Sequence, residues 1–370
     1  MPGGRGAGRA VRRAHARRLR ARRGRRARSE QRRAGRRYPA IPTFRSDAMN
    51  RRTLLAALLG GVCLNLASTG ARAGTPPAAV PRRVIVLDWG LAELTLALGV
   101  VPVGMANTPG FRRNFAACPV PDSVVDLGLM FQPNMELMLA LKPDLIVITP
   151  AHASMRGSLE RLAPTVTLGQ FHASPTPYTD ACAETLRLGR MLGHEAQAEA
   201  AVAQSQRAVA AARARLDALP AYANGGAPVF LTRFVDESRL RVFGTHSLFG
   251  ELVAQLGLRN AWSRADRASA AMIGFDALDA DPRATLVYVK PLPAMTASMM
   301  QTSRVWQAMP FARAGRMTGM AEVSPEGGIL SAAYFARSLV EALAALPAGS
   351  SAVSSAVSSV ASSARLREAA

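Results

Sequence analysis

The chain has 370 residues, with 46 Lys and Arg against 25 Asp and Glu, for a formal net charge of +21. Residues 1–73 hold 20 arginines and only Glu30 and Asp47, so the other 297 residues carry 26 basic and 23 acidic side chains, a net of +3. A nearly neutral body excludes a nucleic-acid binder, whose folded domain carries the charge that meets phosphates. At 49% hydrophobic residues, wholesale disorder is excluded too.

Residues 1–48 are mostly Arg, Ala and Gly and bury too little surface to offset their ordering entropy. They read as a disordered basic extension ahead of a translation start at Met49; the other reading is a basic arm for RNA. Residues 49–73 form an export signal. Arg51 and Arg52 supply the positive start, Leu54 to Leu66 the apolar core, and Ala71-Arg72-Ala73 a small-x-small cleavage site before Gly74. The apolar run is too short to span a bilayer. Asn50-Arg51-Arg52-Thr53-Leu54-Leu55 also resembles a twin-arginine signal. A lipoprotein would need a small residue before Cys63, where Val62 stands. The expected destination is the periplasm. There Cys118 and Cys182 are free to pair, though nothing in the sequence requires it.

In the mature chain, Arg83 to Leu87 is a short β-rich run, and Gly90 to Leu98 a helix ending at Gly99. Asp122 to Leu127 has strand character, and Asn134 to Leu141 helical spacing. Leu145 to Ile148 is a continuous apolar run of the buried parallel type. This alternation predicts an α/β lobe over 74–193. A second α/β lobe, 220–347, repeats the logic. Strands are expected at Pro228 to Thr232, Leu240 to Phe243 and Thr285 to Val289. Helices are expected at Ser247 to Gly257, from Asp276, at Val305 to Met309 and at Leu330 to Leu346. Gly250 is a weak point in the first of these. Between the lobes, residues 194–219 place Ala198, Val202, Ser205, Val209, Ala212 and Leu216 on one helix face, and 26 residues reach about 39 Å. The Ser-Ser repeats of 348–370 read as a disordered tail.

No nucleophile elbow, phosphate loop, zinc-protease or dinucleotide motif is present in the sequence. His152, His172, His194 and His246 are scattered and lack partner motifs. An exported, two-lobed α/β protein without such motifs fits a ligand receptor better than an enzyme, by analogy of architecture.

Longer strings add more. Val84 to Trp89 followed by Leu91 to Gly104, Pro121 to Gly128 and Gln132 to Leu137 resemble the periplasmic hydroxamate-siderophore (ferrichrome-type) binding proteins of ABC importers. So do Lys142-Pro143-Asp144, Val242 to Phe249, Asn260-Ala261-Trp262 and Val305 to Arg316, so that the likeness covers roughly Arg82 to Leu346. The resemblance implies two lobes with parallel-rich sheets joined by one long helix, the class III periplasmic binding protein type. It implies a monomer that captures a ferric hydroxamate siderophore and delivers it to an inner-membrane ABC permease. No cofactor is implied, the Fe3+ being carried only within the bound siderophore.

The resemblance also assigns residues. Arg112 is the best match to an arginine that donates to the hydroxamate oxygens, a role suited to a planar fork of donors. Trp89 matches an aromatic near the pocket, with core packing as the other reading. His152 stands where the family has a tyrosine, and Glu326 near a tyrosine-like position, while Arg233 replaces a small residue. Ala268 and Ser324 fall where aromatics pad the family's pocket, so a wider or more polar site for a different hydroxamate is expected. Glu160 and Asp279 are the candidates for transporter docking. A receptor of the same architecture for haem or a corrinoid is the alternative, sustained by His152.

Overall fold

The computed structural model describes residues 80–223, 228–262 and 269–346. The basic extension, the export signal and the serine-rich tail lie outside the described residues.

The first lobe is built on a parallel sheet of order β3-β2-β1-β6-β7, from β1 (Val84–Val86), β2 (Gly104–Met105), β3 (Val125–Asp126), β6 (Leu145–Ile148) and β7 (Thr165–Thr167). Val84, Ile85 and Val86 lie beside Leu145, Ile146 and Val147, and every residue of β1 and β6 is buried. Burial on both faces explains why these strands read as unbroken apolar runs. Helix α1 (Trp89–Ala97) follows β1, and Asp88 caps it by accepting the Leu91 N–H at 3.0 Å. Next come α2 (Thr108–Asn114), a hairpin of β4 (Gly128–Leu129) and β5 (Gln132–Pro133), and α3 (Met135–Ala140), capped by Asn134. Then come α4 (Arg156–Leu159) and α5 (Pro177–Leu192). The sequence pattern does not mark α2, α5 or β7.

The second sheet has the order β10-β9-β8-β11-β12, from β8 (Val229–Phe234), β9 (Arg239–Phe243), β10 (Ala270–Gly274), β11 (Thr285–Val289) and β12 (Met317–Met320). Strands β8, β11 and β12 run parallel, while β9 is antiparallel to both β8 and β10. Around it lie α7 (Leu248–Gln255), α8 (Ala294–Thr302), α9 (Arg304–Ala308), α10 (Pro310–Arg313) and α11 (Ile329–Ala344). The helix expected from Asp276 is a six-residue 3-10 helix, Phe275–Ala280. Gly250 is a requirement of α7 and not a weakness: a Cβ there would lie 2.0 Å from the Gly244 carbonyl oxygen.

Helix α6 (Glu195–Asp217) connects the lobes, and its 23 residues span roughly 34 Å. Its buried face is Ala198, Val202, Ser205, Val209, Ala212 and Leu216, one stripe of three-and-four spacing. A single buried cluster runs from Val84 and Leu94 through Val202 and Val209 to Phe243, Val287 and Phe335, so both lobes share one core.

Two carboxylates fasten the lobes. Helices α5 and α11 have no side-chain cap of their own at their N-termini, so their first N–H groups need outside acceptors. Glu93 on α1 is fully buried and accepts from the Ser331 N–H at 2.8 Å and the Ser331 hydroxyl at 2.5 Å at the start of α11. Glu251 on α7 answers in the other direction, accepting from Tyr178 N at 2.6 Å, Thr179 N at 3.2 Å and the Thr179 hydroxyl at 2.6 Å at the start of α5. Each lobe thus caps a helix of the other.

Cys118 and Cys182 are both buried and unpaired. Burial, with the charge of Glu93 added, pushes the Cys118 thiol up to about 12. Burial and Glu251 push Cys182 to about 11, against a hydrogen bond with Tyr178. Since the thiolate is the reactive form, neither thiol is expected to react with Ellman's reagent in the folded protein. Both should react on unfolding, as peptide mapping by mass would show; labelling of either one in the folded chain would contradict this.

Candidate functional site

A cavity of about 390 Å³ opens between the lobes, at the carboxyl ends of β1, β6 and β7 in the first and against the antiparallel pair β9 and β10 and the loop after β12 in the second. From the first lobe come Asp88 after β1, Thr149 to Ala151 after β6, Gly169 to Ala173 after β7, and Phe131 from the hairpin. From the second come Arg241 and Phe243 of β9, His246 to Leu248, the start of β10, and Pro325 to Gly327 after β12. Apolar walls carrying a few polar groups suit a ligand-binding cleft.

The polar centre is a pair. His172 Nε2 lies 3.0 Å from Asp88 Oδ1. Burial opposes a charge on His172 most strongly. The hydrogen bond and charge of Asp88, with Glu326 and Glu184 behind it, outweigh burial and raise the histidine pKa. For Asp88, burial pushes the pKa upward, but His172 and the Leu91 N–H hold it below its ordinary value. Glu184 is held by the Gly169 N–H at 2.6 Å, which fixes the loop carrying His172.

Of the five residues expected to bind ligand, Glu326 alone is among the described wall residues. Trp89 sits behind the wall: its indole N–H donates to Ala106 O at 3.1 Å and its ring meets Phe115 edge-on. This is the core-packing reading. Arg112 is turned to the loop after α2, where Nη2 lies 3.0 Å from Asp122 and donates to Val120 O at 3.3 Å. Arg233 reaches Glu322 at 3.1 Å.

His152 is 1% exposed and stacked under Phe131 at 5.0 Å. The Thr149 N–H donates to its Nδ1 at 3.3 Å, which puts the ring proton on Nε2, a buried atom with no hydrogen-bond partner among the described residues. Burial lowers its pKa, against the field of Asp88. The feature that kept haem or a corrinoid in view is therefore not on the cavity wall. Glu160 is exposed at the C-terminal end of α4 and paired with Arg156 at 2.7 Å. Asp279 lies in the 3-10 helix after β10, and its side chain is outside the described residues.

Sequence reasoning passed over Asp88, His172, His246 and Arg241. The histidines have no motif around them because they line one cavity from two lobes. One signal was available: Asp88 directly follows an apolar strand, the position at which α/β sheets present ligand-binding groups.

Comparison with known proteins agrees with this geometry. The periplasmic binding protein family matches residues 84–322. The iron(3+)-hydroxamate-binding protein FhuD of Escherichia coli K12 is 31% identical over 264 residues, covering 71% of this chain and 87% of that protein. The Fe(3+) dicitrate-binding periplasmic protein FecB of the same organism is 27% identical, covering 63% and 74%. Among solved structures, the Fe3+-Desferal-bound siderophore-binding protein FhuD from Vibrio cholerae superposes with a TM-score of 0.67 at 28% identity, covering 72% of this chain and 99% of that one. With its two lobes, its connecting helix and a cleft at the strand ends, the chain belongs to the periplasmic binding protein family.

Proposed function

We propose that this chain captures a ferric hydroxamate siderophore in the interlobe cleft. It works in the periplasm, after export by its signal peptide, and hands the complex as a monomer to an inner-membrane ABC permease. It is a receptor and not an enzyme, and the iron travels inside the ligand. The observation that carries this reading is the cleft: aromatic walls from Phe131, Phe171 and Phe243 around a few polar groups, in a chain similar over most of its body to a protein named for iron(3+)-hydroxamate binding. The exposed Glu160 of the first lobe, and Asp279 of the second, are the proposed contacts to the permease.

Trp89 lies directly behind Asp88 and reports on the cleft. Titration with ferric Desferal is expected to quench tryptophan fluorescence saturably, with a Kd near or below about 1 μM, equivalent to about −8 kcal/mol. Iron-free Desferal should leave the signal unchanged. Quenching by haem or cobalamin alone would replace this reading with the other receptor class.

A further inference from the structure

The second lobe presents the cavity with an exposed arginine that has no counter-ion among the described residues. Arg241 lies in register with Arg233 on β8 and Met272 on β10, and residues directly opposite on paired strands project from the same sheet face. Arg233 is neutralised by Glu322. The Arg241 side chain lines the cavity and makes no hydrogen bond or ion pair among the described residues, and neither does that of His246, which lines the same cavity. Neither acidic group of the wall forms an ion pair with Arg241: Asp88 pairs with His172 and caps α1, and Glu326 makes no ion pair with any described residue, its charge acting on the same histidine. Among the described residues, the β9 wall therefore carries a cation that no carboxylate meets directly.

A ligand that closes over Arg241 strips water from a charge, which is unfavourable unless the ligand returns an anion with matching hydrogen bonds. A carboxylate does so, accepting two parallel N–H bonds from the guanidinium fork. We infer that Arg241, with His246 of the same cavity, holds a carboxylate arm of the ligand. The receptor thus selects ferric hydroxamates that carry a free carboxylate besides their iron-binding groups. This rests on the ferric hydroxamate reading and names the class within it.

Ferric Desferal ends in a primary amine, so the same iron centre can be offered with that arm free and positive, acetylated and neutral, or succinylated and negative. The wild-type chain is expected to bind the succinyl form about tenfold more tightly than the acetyl form, about 1.4 kcal/mol. Arg241→Gln should bring the succinyl affinity down to that of the acetyl form, and Arg241→Lys, which keeps the charge and loses the fork, should fall between. Circular dichroism of both variants checks that they are folded. Equal binding of all three arms, tightest binding of the free amine, or a succinyl preference surviving in Arg241→Gln would overturn the assignment while leaving the hydroxamate reading intact. A wild-type chain that binds none of the three removes the hydroxamate reading and this inference with it.

Discussion

Glu93→Ala is expected to destabilise the fold by about 3–5 kcal/mol, because it strips the acceptor from two buried donors at once and leaves a cavity. The Ser331 N–H and hydroxyl, at 2.8 and 2.5 Å, lose their partner in a place closed to water. Helix α11 has no other side-chain cap to take over. Glu93→Gln keeps an oxygen in place and should cost less than about 1 kcal/mol. The pH dependence separates charge from shape. Burial raises the Glu93 pKa above its ordinary value of 4.5, only partly opposed by the Ser331 hydrogen bonds. The folded chain therefore holds this proton more tightly than the unfolded one. The resulting contribution is complete below the ordinary value and is lost as pH rises through the folded value. Glutamine cannot titrate, so urea melts from acid to neutral pH should show the variant gaining on the wild type as pH rises. A flat difference, or a loss for Glu93→Ala under about 1 kcal/mol, would mean that this contact does not hold the lobes together.

What the sequence disclosed was local, and what it withheld depended on distant partners. The strands Leu145–Ile148 and Thr285–Val289 lie where their apolar runs placed them, because a strand buried on both faces needs no polar residue. The stripe on α6 was legible because one helix face meets one core. Helix α5 was not, and part of what fixes its start is Glu251, 73 residues away from Tyr178. The clasp at Glu93 joins residues 238 apart. The site divides the same way. Glu326 was reached through resemblance. Arg112 lies in the last turn of α2 and not on a loop, and Asp122, ten residues on, holds its guanidinium. His172 and His246 acquire meaning only where the strand ends of two sheets meet.

Gly90→Ala sets helix propensity against the junction of the lobes. Gly90 is the second residue of α1, and at an open helical position the change to alanine gains up to about 1 kcal/mol. Here a Cβ would lie 2.6 Å from His172 Cε1 and 2.8 Å from the backbone oxygen of Glu326. Neither neighbour yields easily, since the imidazole is tied to Asp88 and the oxygen is main chain. Overpacking of this kind costs about 1–3 kcal/mol, so crowding should win and the melting temperature should fall. The displaced groups also line the cleft, so the affinity for ferric Desferal should fall with it. Gly157→Ala is the internal comparison: Gly157 lies in α4 with nothing within 4 Å of its added carbon, and propensity alone should leave that variant as stable as the wild type or slightly more so, with binding unchanged. If Gly90→Ala instead matched Gly157→Ala in both stability and binding, His172 and the Pro325–Gly327 loop would have room to move apart. The close approach of the two lobes at α1 would then not be what shapes the cleft.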